Sequence, residues 1–155
     1  MMIEDLTDAV GGYVWLQRSL AAALHSWRAR EPDAEAAVFL HSTARTCEQH
    51  AAGWEALLAD SPALAAPERV RPPSEPAADG LEPGAAGLFE GAAGDAAGRL
   101  ANLTNVVLPR LLASFEQFGA RLSDVAEAPE KRFCAIVVGD LRAALERGTL
   151  LADRR

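Results

Sequence analysis

Cys47 and His50 form the one cysteine–histidine pair that stands three residues apart in this chain, within the stretch TCEQH. On a helix that spacing places both side chains on one face. Three chemistries suit such a pair. A thiolate and an imidazole are both zinc ligands. A thiol beside a ring nitrogen is a nucleophile with its base. A small thiol next to a hydrogen-bonded ring is also ordinary core packing. No oxyanion-hole signature accompanies the pair, which counts against the nucleophile.

Four helical segments are predicted to position these residues, and the fold class is all-α. The first spans 7–29 after a cap at Thr7 or Asp8, with Leu6, Val10, Tyr13, Gln17, Leu20, Leu24 and Trp27 on its inward face. The second spans 34–60 from a cap at Asp33, with Ala36, Leu40, Thr43, Cys47, His50, Trp54 and Leu57 inward. Residues 61–85 are rich in Pro and Ala and lack periodicity, so they read as a linker. A third segment spans 86–126, kinked near Pro109, with a stripe of Leu100, Leu103, Val107, Leu111, Phe118 and Leu122. The last spans 129–152, with Pro129 in its first turn and a seam of Phe133, Val137, Asp140 or Leu141, Ala144 and Gly148.

The 155 residues fit one domain, 1–155. A net charge of −7, with Lys131 the only lysine, argues against nucleic acid or an anionic membrane as partner, because both recruit clustered cations. No apolar run reaches the roughly 20 residues of a membrane span. The acidic start MMIEDLTDAV lacks the pattern of a signal peptide, so a cytoplasmic location is expected. Cys47 and Cys134 are then expected to be free thiols.

Two short connections and one long crossover between helices 2 and 3 describe the ferritin-like four-helix bundle. The stretches GGYVWLQRSLAAAL, HAAGWEALL, VVLPRLLASFEQFGARL and DLRAALERGTLL resemble an actinobacterial group of ferritin-like proteins of poorly defined role. Di-iron members of that superfamily carry a Glu on each of two helices and a Glu-x-x-His on each of the others, all pointing inward. Here the inward positions offer Gln17, the pair Cys47 and His50, no acid on the third stripe, and Asp140 followed three residues later by Ala143. Glu116 falls on the opposite face. The resemblance therefore implies a degenerate ligand set and no di-iron centre.

Gln17, Cys47, His50 and Asp140 lie near the middle of their helices, with Tyr13 and Trp54 about a turn away. In an antiparallel bundle these six converge as a polar cluster in the core. Three readings stand: a satisfied hydrogen-bond cluster, a small-molecule pocket, and a mononuclear site of Cys47, His50 and Asp140 for an ion such as zinc. No cofactor is favoured. The leading functional expectation is a bundle that binds a small molecule or a partner protein. The alternative is an enzyme, of secondary metabolism for example, doing acid–base chemistry at the cluster or using one metal ion. His41, Glu48 and Glu55 recur every seven residues on a flank of helix 2 and read as a solvated face with local ion pairs. His25, near the end of helix 1, suits the helix dipole. Trp15, with Gly12, Ser19, Ala22 and Ser26, forms a second face of helix 1. Either the linker covers it or it is a homodimer contact.

Overall fold

The computed structural model describes residues 1–58, 69–71 and 95–154, and the described regular structure is all helical. Helix α1 runs Ile3–Arg28 and α2 runs Ala34–Leu58. A short α3, Ala96–Asn102, passes through a π-helical turn, Leu103–Val107, into α4, Leu108–Arg121. Helix α5 runs Ala128–Asp153. No helix among the described residues is long and apolar enough to cross a membrane.

Helix α1 starts four residues before the expected cap. Glu4 and Asp5 occupy its first turn, where negative charge complements the helix dipole. Thr7 lies inside the helix, its hydroxyl donating to the Ile3 carbonyl at 2.7 Å. The start of α2 is capped where the sequence places it: the Asp33 carboxylate accepts from the Ala36 N–H at 2.9 Å.

Most of the linker 61–85, together with the expected helical residues 59–60 and 86–94, lies outside the described residues. The described part, Arg69–Arg71, docks on α1. The Arg69 guanidinium donates to Asp8 at 2.8 Å, and a Cβ on Gly11 would stand 2.0 Å from the Arg69 carbonyl oxygen. Only glycine admits so close a backbone approach.

The expected kink at Pro109 takes a different form. The helix widens just before the proline, and the Leu108 N–H reaches back five residues to the Leu103 carbonyl. Proline has no N–H to offer the ladder, and its ring would press on the carbonyl four residues back. A π turn relieves both problems. Helix α4 then ends at Arg121 rather than near 126, because Leu122 is extended and Ser123 starts a turn. The Ser123 hydroxyl accepts from the N–H groups of Val125 and Ala126, while the buried Glu127 carboxylate accepts from the Ser123 N–H at 2.6 Å.

Helix α1 packs along α2, and α5 packs against both α2 and α4. The inward positions read from the sequence are buried along α2, apart from the half-buried Leu57, and along α3–α4. Two details differ. The stripe on α4 also includes Ser114 and the fully buried Phe115. On α5 the buried seam is Cys134, Val137, Leu141, Ala144 and Gly148, so Leu141 takes the inward position. Asp140 is therefore not a core residue: its side chain is 50 % exposed on the flank.

Candidate functional site

Gln17 on α1 and His50 on α2 are 0 % and 2 % exposed and face each other. The amide Nε2 of Gln17 lies 3.4 Å from His50 Nδ1, and His50 Nε2 lies 2.8 Å from Asp140 Oδ2 on α5. An amide nitrogen only donates, so Nδ1 accepts and the ring proton sits on Nε2, directed at the carboxylate. Burial pushes the His50 pKa below its ordinary value, against the opposing pull of Asp140. The ring is neutral at pH 7, as the hydrogen-bond pattern requires. The three side chains make a chain of polar contacts from the surface at Asp140 into the core at Gln17. Its inner end is incomplete: Gln17 Oε1 is buried with no partner among the described residues, as are Thr43 Oγ1 and Trp54 Nε1.

Cys47 is fully buried one turn from His50. Burial raises its pKa to about 12, so it is a protonated thiol. Both His50 ring nitrogens are turned to Gln17 and Asp140, leaving neither to act as base for Cys47.

Tyr13 and Trp54 belong to a separate, aromatic group. The Tyr13 hydroxyl lies 3.3 Å from Ser114 Oγ and 3.4 Å from the Ser114 carbonyl, with a pKa pushed by burial to about 12. Its ring meets Phe115 at 4.3 Å between centroids, and Trp54 stacks against both, 5.7 Å from Tyr13 and 5.9 Å from Phe115. Phe133 of α5 joins the two parts, edge-on to Trp54 at 4.8 Å and to His50 at 6.4 Å. It can lie there because Gly53 has no side chain: a Cβ would meet the Phe133 ring at 2.2 Å. Ser114 and Phe115 were the members that sequence reading missed. Their signal was a phenylalanine one turn before Phe118.

These residues do not fit a di-iron centre. The inward group on α1 is an amide, Glu116 on α4 is exposed and paired with Arg142, and His50 already spends both nitrogens. The single-ion set of Cys47, His50 and Asp140 does not converge either. Among the described residues no three His, Cys, Asp or Glu side chains are gathered for a metal ion.

The flank of α2 pairs with α1 across the helix interface. Arg18 meets Glu55, and His25 Nε2 lies 2.8 Å from Glu48 Oε1. Arg45 donates to the other Glu48 oxygen at 3.0 Å. On the second face of α1, Trp15 and Ser19 are half-buried, Ala22 and Ser26 are exposed, and Gly12 is buried. Comparison of the chain with protein-family models, curated proteins and solved structures gave no match.

Proposed function

We propose that this protein is a ferritin-like four-helix bundle without a di-iron centre, and that it binds a small molecule or a partner protein through its polar cluster. The pairing of α1 with α2 and of α4 with α5, joined by the long segment after Leu58, supports the bundle topology. The observation that carries the binding reading is the contact between His50 and Asp140. It holds a half-exposed carboxylate in one orientation at the surface, backed by a buried neutral ring. A carboxylate so held suits a ligand that donates hydrogen bonds, such as an amine, a guanidinium or a hydroxyl. Cys47, Tyr13 and Trp54 are buried in the core and take no part in bond making. The protein works in the cytoplasm on this reading.

The test is a thermal-shift screen of small amines, guanidines and polyols, repeated with Asp140→Asn. Stabilisation by one ligand that disappears in the variant supports the reading. Ligands that stabilise both proteins equally, or none at all together with no partner captured through this face, count against it. A second reading, acid–base catalysis by the Asp140–His50 pair, draws on the same contact, in which the ring Nε2 lies 2.8 Å from a half-exposed carboxylate. His50→Gln separates the two: it preserves binding at Asp140 and abolishes turnover.

A further inference from the structure

We propose that the outward face of α5 is a self-docking surface, on which two copies of this chain pair antiparallel, Arg132 of each against Glu146 of the other. The buried seam of α5 is Cys134, Val137, Leu141, Ala144 and Gly148. Opposite that seam stand Arg132, Gly139 and Glu146, spaced two helical turns apart and so in line along the helix. Ala135 and Ala143 are exposed on either side of the glycine. Ile136 and Leu150 are each 57 % exposed on the same side. A solvated helix face ordinarily carries charged and polar side chains. This one is apolar or bare over its middle, and a Cβ on Gly139 would meet nothing within 4 Å.

The charges choose the occupant and its direction. Elsewhere on α5, Lys131 pairs with Asp124 and Arg142 with Glu116. Arg132 and Glu146 are exposed and have no ion partner among the described residues. They lie at equal distances from Gly139, about 10 Å to either side along the helix. A second α5 laid antiparallel, with the two glycines opposed, brings Arg132 to Glu146 at both ends and Ala135 to Ala143 between them. A parallel pairing would set arginine against arginine and glutamate against glutamate, which is repulsive. Small residues at the centre let two helix axes approach closely. The contact is isologous, so it closes as a dimer and leaves no free patch. The exposed ion pairs set the register, while burial of Ile136 and its apolar neighbours supplies most of the affinity. Asp140 lies about 100° round the helix from Gly139, to the side of the contact, so pairing and the polar cluster are tested separately.

The experiment is sedimentation velocity of the full chain over a wide range of concentrations. We expect a monomer–dimer equilibrium. Arg132→Glu and Glu146→Arg should each weaken the dimer about tenfold or more, because symmetry makes each reversal create two like-charge contacts. The double variant Arg132→Glu with Glu146→Arg should restore the dimer, since the charges have only changed places. Ile136→Glu should also weaken it, and Trp15→Glu on α1 should leave it unchanged. A wild type that stays monomeric at high concentration overturns the proposal. So does a dimer that survives both single reversals, one that the double variant fails to restore, or one that is lost in Trp15→Glu. All the substituted α5 positions are exposed, and helicity by circular dichroism checks that each variant is folded.

Discussion

His50 Nε2 and Asp140 Oδ2 meet at 2.8 Å across the α2–α5 interface, one side chain 3 % exposed and the other 50 %. The contact is asymmetric in its energetics. Removing the carboxylate leaves a buried ring N–H without its acceptor. Removing the ring leaves a carboxylate that water can solvate. We expect His50→Ala to destabilise by about 2–3 kcal/mol, from the cavity and from the Gln17 amide left unpaired. His50→Leu fills the space, and the double variant Gln17→Leu with His50→Leu should recover much of the loss. Urea melts of the two single variants and the double variant check this. A double variant no more stable than His50→Ala would show that the pair does more than satisfy itself.

Acid should weaken the fold in a defined window. The folded pKa of His50 lies below its ordinary 6.5, so between those two values the unfolded chain binds the extra proton. The contribution is complete above about 6.5 and is lost as pH falls through the folded value. Glu48, held below its ordinary 4.5 first by the hydrogen bond from His25, contributes above about 4.5 and loses that only at lower pH. Melting temperatures between pH 7 and 5 should fall for the wild type and stay flatter for His50→Leu.

Three glycines make a comparative test on stability. A Cβ on Gly139 would meet nothing within 4 Å, and this glycine sits inside α5 on the exposed side. Gly139→Ala should stabilise by about 0.5–1 kcal/mol through helix propensity alone. Gly53→Ala drives the Phe133 ring off its seat and should destabilise by about 1–3 kcal/mol despite the same gain in propensity. Trp54 fluorescence should change with it. Gly11→Ala should release Arg69 from α1, read as faster proteolysis near residue 69.

Cys47 and Cys134 should not react with a thiol reagent in the native state. Both are buried, and burial raises their pKa values to about 12 and about 11. Both should label at once in denaturant. Rapid native labelling of Cys47 would mean that the polar cluster opens.

Trp15→Glu tests association. If the half-buried Trp15 and its small neighbours bind a second copy, the variant should elute as a monomer with unchanged helicity while the wild type elutes as a dimer. A wild-type monomer at high concentration would dispose of that contact.

The helical period in the sequence was enough to assign the inward residues of α2 and to put Gln17 and His50 on facing sides. A buried face must repeat every three or four residues, and few alternatives survive 25 residues of α2. Asp33 as a cap was equally legible, because a side chain bonding its own local backbone needs no distant partner. Asp140 against Leu141 was not. Adjacent residues differ by about 100° around a helix, and the seam passes between them, so only the packing of α5 on α2 and α4 could choose. The choice moved the acid from the core to the surface and left His50 as its buried partner. Tyr13 joined Ser114 rather than the polar cluster for the same reason: its partner depends on how α4 is rotated after the π turn. Pro109 announces a break in the helix, but the form of the break depends on what the freed carbonyls and the neighbouring helix allow. Local chemistry thus set caps and faces, while the tertiary structure decided which polar groups meet, since a buried polar atom takes whichever partner the neighbouring helices bring within reach.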